Sequence, residues 1–286
     1  MEFEVGIRQG MSYADYDRIP ALRSHVLADM LKSPAHARYA LDHPKPRSDA
    51  MMIGEAVHTA ILEPDRFKAE YISRPDANQC EWAGKHKSSK AYKEGYELWS
   101  IDQEEKVILS PAEWKMCCAL RDSAYQNPIA NKILSGPGMN EAVVCWLDPG
   151  TNLPCKARLD RVFSHEGNTI VLDIKTTRDA SPWSFAYDCA KFKYHFQGAY
   201  YRRGLKVLEP RPRPFWILAL EKNPPYCSAM YRLDEEALNI AEASLQNLIY
   251  RFSECEEESN WPGYSSEVSK LFLPKFAYFE EGQDDD

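Results

Sequence analysis

The stretch that decides the fold consists of Arg158-Leu159-Asp160 and, further along the chain, Asp173-Ile174-Lys175-Thr176-Thr177. Residues 153–163 alternate apolar and polar side chains, and residues 169–174 form a short apolar and β-branched run, so both segments are predicted to be strands. The polar segment between them contains glycine and asparagine, which suit a hairpin turn. The two aspartates are therefore expected on adjacent strands.

The spacing of Asp173 and Lys175 places an acid and an ammonium group on the same face of a strand, because successive side chains alternate faces. Two carboxylates held close together repel each other unless a cation lies between them, and oxygen ligands of this kind suit Mg²⁺ or Mn²⁺. A lysine beside such an ion can orient water and balance charge on a phosphate. The pattern indicates phosphodiester hydrolysis. The alternative is an exposed hairpin with a surface ion pair.

A second motif follows on a predicted helix that covers residues 181–208, with Ser181 and Pro182 as its start signal. Gln197 and Tyr201 are four residues apart, so they lie on the same side of that helix.

An aspartate, an Asp-Ile-Lys on the next strand and a Gln-x-x-x-Tyr on the following helix resemble the PD-(D/E)xK nuclease superfamily, in its RecB-like branch. Within that branch the chain is similar to RecE-type (exonuclease VIII) nuclease domains over about Met11 to Ala277. Four further segments carry this narrower resemblance: Gly54–His58, Leu62–Pro64, Tyr187–Tyr201 and Trp261-Pro262.

The resemblance implies an α/β fold of the restriction-endonuclease-like type, in which helices flank a central mixed β-sheet and a helical extension precedes it. Residues 1–286 would then form a single nuclease domain. Its mainly helical part is expected at 1–135, the catalytic sheet and helices at 136–260, and a C-terminal tail at 261–286.

The resemblance also implies the roles of the site residues. His58, Asp160, Asp173 and the main-chain carbonyl of Ile174 would hold one or two Mg²⁺ or Mn²⁺ ions, and Lys175 would position the attacking water. Gln197 and Tyr201 would orient a carboxylate, the lysine or the DNA strand. Without the resemblance, His58 beside the apolar stripe of a predicted helix at 49–62 is more typical of a packed core residue.

Two further residues are candidates for the site. Glu141 precedes a predicted strand at 142–147, where superfamily members often keep an acid, although a surface glutamate is the alternative. Arg158 shares the face of Asp160 by the two-residue step, so it could contact a phosphate or neutralise the acid.

Composition and charge restrict the classes of protein that the chain can belong to. No apolar run reaches the ~18 residues of a membrane span, and Glu2 and Glu4 do not fit the basic start of a signal peptide. We therefore expect a soluble, intracellular protein with no membrane partner, and the resemblance implies the cytoplasm of a bacterial cell and a phage- or prophage-encoded chain. Some RecB-like nucleases carry an iron–sulfur cluster on three clustered cysteines after the catalytic helix. Of the eight cysteines here, only Cys227 and Cys255 follow that predicted helix, so we expect no cluster.

The net charge of −8 is unevenly distributed along the chain. Residues 156–222 contain 13 basic and 7 acidic side chains, whereas residues 234–286 contain 3 and 14. Phosphate binding depends on the local field, so a basic middle segment is compatible with DNA. Residues 79–100 combine lysines with aromatic residues, which indicates either an arm that grips DNA or an amphipathic helix with an aromatic stripe.

Looking like RecE-type domains implies degradation of linear duplex DNA from its ends, from 5′ to 3′. It also implies a RecT-like single-strand annealing partner and a ring-shaped homo-oligomer. Two alternatives stay open: another nuclease of the superfamily, such as an endonuclease or a single-strand nuclease, and a catalytically silent DNA-binding protein on the same fold.

Overall fold

A six-stranded mixed sheet forms the centre of the computed structural model, which describes residues 2–44, 46, 48–211 and 213–274. The strands in chain order are β1 (Gly6–Arg8), β2 (Tyr71–Ser73), β3 (Val107–Leu109), β4 (Gly138–Leu147), β5 (Pro154–His165), β6 (Asn168–Thr177), β7 (Phe215–Glu221) and β8 (Ser228–Arg232). The spatial order of the large sheet is β1-β4-β5-β6-β7-β8, with β6 and β7 parallel and the other neighbours antiparallel. Strands β2 and β3 form a separate parallel pair.

Helices cover both faces of this sheet. In chain order they are α1 (Tyr13–Arg18), α2 (Ser24–Met30), α3 (Pro34–Asp42), α4 (Asp49–Leu62), α5 (Pro64–Glu70), α6 (Lys90–Ile101), α7 (Pro111–Gln126), α8 (Pro128–Ser135), α9 (Pro182–Lys191), α10 (Tyr194–Leu208) and α11 (Glu235–Glu258). The predicted mixed sheet with flanking helices is confirmed. The described helices include none that is long and apolar enough to cross a membrane.

The β5–β6 hairpin is closed at one end and open at the other. Pairing runs from His165 opposite Asn168 to Arg161 opposite Leu172, and it stops there. Strand β6 nevertheless continues to Thr177 alongside β7. Beyond Leu172 the two strands separate, so side chains from both faces of the sheet can meet in the opening.

Two large apolar clusters hold the helices on the two faces. One contains Val171 together with residues of α2, α10 and α11, and the other contains Leu172 and Ile174 together with residues of α4 and α7. The alternation along β6 therefore directs Asp173 and Lys175 towards the α10 face. Helix α4 lies against the opposite face, so the open hairpin has a helix on each side.

Helix α10 approaches the sheet closely because two glycines face it. A Cβ atom added at Gly204 would lie 2.5 Å from the Trp146 ring, and one added at Gly198 would lie 2.8 Å from the Phe215 ring. Trp146 is fully buried in this contact, and its loss is expected to cost about 3–5 kcal/mol. The close approach brings the same helix face that carries Tyr201 towards the open hairpin.

The predicted long helix at 181–208 is wrong, because it is a pair of shorter helices. It breaks between α9 and α10, where Lys193 has a left-handed backbone with φ of 62°. Helices α7 and α8 are separated in a similar way, where the Asn127 side chain accepts hydrogen bonds from Ile129 and Ala130, directly before Pro128. Proline has no N–H to donate within a helix, and asparagine is a favourable cap, so a new helix begins there.

A buried lysine ties the N-terminal helix α1 to the sheet. Lys156 Nζ donates to the main-chain carbonyls of Tyr16 at 2.8 Å, Asp17 at 3.0 Å and Ile19 at 2.5 Å, at the C-terminal end of α1. Burial lowers the pKa of Lys156 to about 8, with the nearby Arg23 charge acting in the same direction. The anchor holds the α1 tyrosines beside the cleft described below.

Candidate active site

The two predicted aspartates lie at the point where β5 and β6 separate. Both are buried, with 8% of Asp160 and 1% of Asp173 exposed. Asp160 Oδ2 accepts a hydrogen bond of 2.6 Å from the main-chain N–H of Ile174. The carboxylate thus satisfies a backbone donor of β6 beyond the last paired residues, which fixes Asp160 in the opening.

Lys175 is paired with Asp173 on the same face of β6, as the two-residue spacing predicts. Its Nζ atom is 2.6 Å from Asp173 Oδ2, and the Asp173 side chain is almost completely buried. The ammonium group also lies 4.8 Å from the centroid of the Tyr194 ring at the start of α10. This arrangement holds one cation beside the acid and directs it towards the α10 side of the opening.

His58 enters the same opening from α4 on the other face of the sheet. Its Nε2 atom is 3.0 Å from the carbonyl oxygen of Ile174, and its Nδ1 atom is 3.5 Å from Asp160 Oδ1. The imidazole therefore contacts two of the other three predicted metal ligands.

Glu141 and Arg158 also belong to this site. Glu141 has a left-handed backbone with φ of 51°, and its Oε2 atom is 2.6 Å from Arg158 Nε. One ligand atom each from His58, Glu141 and Asp160 lie within 4.8 Å of one another, close enough to hold a metal ion. In a non-glycine residue such a backbone conformation is uncommon and clusters at functional sites.

The protonation states on the His58 side reflect strong mutual attraction. Burial lowers the pKa of His58, but the Asp160 carboxylate outweighs burial and raises it to about 9. Burial and the Asp160 charge raise the pKa of Glu141 to about 7, against the opposing effect of Arg158. Burial also opposes ionisation of Asp160, yet the His58 charge and hydrogen bond hold the pKa of Asp160 below its usual value.

The acid and the lysine on β6 influence each other in the same way. Burial raises the pKa of Asp173 to about 6, although the Lys175 charge opposes the rise. Burial lowers the pKa of Lys175, but attraction to Asp173 and Asp160 outweighs burial and raises it. The site therefore gathers three carboxyl groups whose burial disfavours full ionisation unless a cation balances them.

Gln197 and Tyr201 contact each other across one turn of α10. Gln197 Nε2 donates to the Tyr201 hydroxyl oxygen at 2.6 Å, and burial together with the charges of Asp173 and Asp160 raises the pKa of Tyr201 well above its usual value. Both side chains line the cleft that also contains His58 and Asp160. Their roles in orienting a carboxylate, the lysine or DNA stay predictions.

The cleft over this site has a volume of about 570 Å³ and an uneven charge. The lining also includes residues that were not predicted from the sequence: Arg23, His25, Arg66, Lys156 and Lys193. Of these, Lys156 is held by main-chain carbonyls, and burial lowers the pKa of His25. Arg23 precedes α2 and Lys193 lies in the break between α9 and α10, so sequence spacing alone gives no signal for either. The side chains of Tyr13 and Tyr16 from α1 complete the wall.

The donor set fits a hard divalent cation. Carboxylate oxygens, a main-chain carbonyl oxygen and one imidazole nitrogen suit Mg²⁺ or Mn²⁺, whereas the thiolates that select softer metals do not line the cleft in the described part of the chain. Asp173 Oδ2 is buried without a regular hydrogen bond apart from its ion pair with Lys175. The residues present can therefore accept an additional positive charge.

Comparisons with known proteins agree with this geometry. The model of a family described as a PDDEXK-like domain of unknown function (DUF3799) matches residues 24–271. A crystal structure of a "Putative exonuclease" from Eubacterium rectale is similar with a TM-score of 0.60 and 12% sequence identity, over 94% of this chain and 98% of that chain. A structure of SSO0001 gives a TM-score of 0.27 at 17% identity, over 68% of this chain and 86% of that chain. No curated protein matches the chain.

Proposed function

Because this chain belongs to the family of PDDEXK-like domains DUF3799, we propose that it is a Mg²⁺- or Mn²⁺-dependent deoxyribonuclease that degrades linear duplex DNA from its ends. The observation that carries the proposal is the convergence of Asp160, Asp173, Lys175 and His58 in the opening between β5 and β6. Asp160 and His58 also line a cleft whose lining includes the cationic side chains of Arg23, Arg158 and Lys193, and such charges suit a phosphodiester backbone.

In this proposal His58, Glu141, Asp160, Asp173 and the Ile174 carbonyl hold the divalent ion. When bound, such an ion stabilises the charge that develops on the phosphate and lowers the pKa of a bound water. The three carboxyl groups give the site the negative charge that retains the cation, and His58 contributes a ligand only as neutral imidazole. For His58 to act as a ligand, it would have to lose the proton that the Asp160 carboxylate stabilises on its ring.

Lys175, Arg158 and Lys193 act on the substrate. The Lys175 ammonium group lies beside Asp173, where it orients the attacking water and balances charge on the phosphate. Arg158 and Lys193 line the cleft and are placed to bind the neighbouring phosphates. Gln197 and Tyr201 contact each other and limit the freedom of the α10 side of the cleft, which is a positioning role.

The resemblance to RecE-type domains supports the finer parts of the proposal. Digestion would proceed from 5′ to 3′ and expose single strands for recombination by a RecT-like annealing protein in the bacterial cytoplasm. A ring of subunits around the duplex would keep the enzyme on its substrate.

The test uses linear duplex DNA labelled at either the 5′ or the 3′ end, and a closed circular duplex of the same sequence. With Mg²⁺ we expect progressive shortening of the linear DNA and an intact circle, and with a chelator no digestion. The end whose label is released first reports the polarity. Cutting of the closed circle would show that the protein is an endonuclease. Binding without digestion in Mg²⁺ and Mn²⁺ would indicate a catalytically silent DNA-binding protein.

A further inference from the structure

A row of exposed aromatic side chains lies on α9 and at its end. Trp183 is 76% exposed, Tyr187 is 63% exposed and Phe192 is 54% exposed. Among the tryptophans that the structure describes, Trp183 is the one that is largely exposed. Large aromatic side chains usually bury most of their surface, so a group of exposed ones indicates a surface that contacts another molecule.

The outer part of this row is continuous along one side of α9. The rings of Trp183 and Tyr187 are 5.3 Å apart in an edge-to-face arrangement. Lys191 is one turn beyond Tyr187, and residues four apart on a helix are neighbours on its surface. The helix thus presents two aromatic rings and then a cationic group in one line.

The inner part of the row reaches the candidate active site. Lys191 Nζ lies 5.3 Å from the centroid of the Phe192 ring, and that ring is stacked 5.8 Å from the Tyr194 ring. Tyr194 in turn contacts Lys175, whose Nζ atom is 4.8 Å from its ring centroid. Phe192 and Lys193 both line the cleft. The aromatic row is therefore an extension of the cleft and not a separate patch.

The charge of this surface is positive where it faces solvent. Arg178, Lys191 and Lys193 are exposed, and none forms an ion pair with another described residue. Of the two nearby acids, Asp188 is partly buried and accepts a hydrogen bond of 2.8 Å from the Thr177 hydroxyl, whereas Asp179 is exposed and accepts one of 2.8 Å from the N–H of Ser181. The three exposed basic side chains therefore outnumber the exposed acid. Exposed π-faces combined with unpaired cations suit unpaired nucleotides, which offer bases to stack and phosphates to neutralise.

The length of the row sets the size of the ligand. From Trp183 to Lys191 the helix rises by roughly 12 Å at 1.5 Å per residue. A strand with stacked bases rises by about 3.4 Å per nucleotide, so the row matches roughly three to four nucleotides.

We propose that Trp183, Tyr187 and Phe192 form a stacking platform, the α9 platform, for the unpaired part of the DNA strand next to the cleft. This inference rests on the proposed function, since a nuclease that acts at a DNA end must separate the strand it cuts from its complement. The rings hold three to four unpaired bases, while Lys191 and Lys193 contact their phosphates. The platform would thereby prevent the separated strand from pairing again.

The experiment measures binding of fluorescein-labelled dT15 by fluorescence anisotropy in the presence of a chelator, so that no strand is cut. Trp183→Ala and Tyr187→Ala should each weaken binding at least about fivefold, the lower limit expected for loss of one stacked base. Trp183→Phe should restore most of the affinity, because phenylalanine keeps a π-face. Lys191→Gln should lower the slope of log affinity against log salt by about 0.7, as for one phosphate contact on a single strand.

Two controls test whether the α9 rings themselves contact the bases. Tyr39→Ala removes a tyrosine that is 64% exposed on α3 and does not line the cleft, and it should bind dT15 like the wild-type protein. Addition of dT15 should quench the tryptophan fluorescence of the wild-type protein, and this quenching should be smaller in Trp183→Phe even though binding persists. That difference reports direct contact between Trp183 and a base.

The possible results are distinguishable. If the wild-type protein digests DNA but the alanine variants bind dT15 with unchanged affinity, the platform is rejected and the proposed function stands. If the alanine variants change the molar mass measured by light scattering, the row is a contact between protein chains, and the platform is rejected. If the wild-type protein neither binds dT15 nor digests DNA, both proposals are rejected.

Discussion

Two buried groups of charged residues lie on the same sheet, and they are built differently. In the first, Asp148 at the β4–β5 turn pairs with Arg203 of α10. Asp148 Oδ1 accepts hydrogen bonds from Arg203 Nε at 2.9 Å and Nη2 at 2.5 Å, and Oδ2 accepts from the N–H groups of Gly150 and Thr151. Arg203 also donates to Gln246 at 2.6 Å. This group is saturated by the protein itself.

The second group, at the open end of the β5–β6 hairpin, is not saturated. Burial raises the pKa of Glu141 to about 7 and that of Asp173 to about 6, so both carboxyl groups hold a proton more readily than an exposed acid does. Glu141 lines the cleft beside His58 and Asp160, and the buried Asp173 Oδ2 has no hydrogen-bond partner among the described residues apart from its ion pair with Lys175. A closed network of buried charges thus holds the fold together, whereas an open one can accept a cation and a substrate.

The largest expected effect is on activity, and it arises in the unsaturated group at the open end of the β5–β6 hairpin, which we call the open group. Asp173→Asn or Lys175→Gln should reduce the rate of DNA digestion by about 10³-fold or more, because the first removes a ligand charge and the second the cation that balances the phosphate. Both substitutions also break the buried Asp173–Lys175 pair, so digestion is compared per folded molecule, with the folded fraction measured by circular dichroism. Either variant digesting DNA at more than a tenth of the wild-type rate would remove these residues from the site.

The next largest effect is on stability, and it arises in the saturated Asp148–Arg203 group, which we call the closed group. Asp148→Ala leaves the buried Arg203 without its partner, and breaking such a pair costs about 3–5 kcal/mol in the free energy of unfolding. Urea unfolding should show this loss, while digestion per folded molecule at low temperature should remain near the wild-type rate. Loss of activity in a variant of unchanged stability would contradict the division between the two groups.

Much of the fold could be predicted from the sequence because its signals are local. Alternation along residues 153–163 and the apolar run at 169–174 predicted β5 and β6, and the stripe on residues 49–62 predicted α4. The two-residue step from Asp173 to Lys175 also gave their common face. These features depend on periodicity, which each segment carries by itself.

The rest of the site depends on non-local geometry. The pairing of Glu141 with Arg158 joins β4 to β5 at a residue with a left-handed backbone, which has no distinctive sequence signal. Lys193 reaches the cleft because the helix breaks there, where a continuous helix was predicted. The Asp148–Arg203 pair joins residues 55 apart in the chain, so local spacing gives no signal for it.

The predicted pH dependence of metal binding further distinguishes the open group from the closed group. His58, with a pKa of about 9, and Glu141, with a pKa of about 7, carry protons that a metal ion must displace. A raised pKa means that the proton competes more strongly, so Mn²⁺ affinity should fall about tenfold per pH unit below 9. Below pH 7 the second proton should make the fall steeper.

Calorimetric titration with Mn²⁺ at several pH values measures this slope. Repeating it in buffers with different ionisation enthalpies counts the released protons. Glu141→Gln provides the matched control, because it should remove the steeper part between pH 7 and pH 6, above the range in which the proton of Asp173 also competes. An affinity that is independent of pH from 6 to 9 would show that His58 does not bind the metal.

The smallest expected effect concerns the positioning pair on α10. Gln197→Ala removes the donor to the Tyr201 hydroxyl, and one hydrogen bond of this kind contributes about 1 kcal/mol, so digestion should slow by less than about tenfold. Tyr201→Phe removes the acceptor and should have a similar effect, and the double variant should be little worse than either single one, because both act through one contact. Kinetics at several DNA concentrations measure all three variants. A loss as large as that of Lys175→Gln would instead place Gln197 against the DNA or the reacting groups, and the open group would then extend across the cleft to α10.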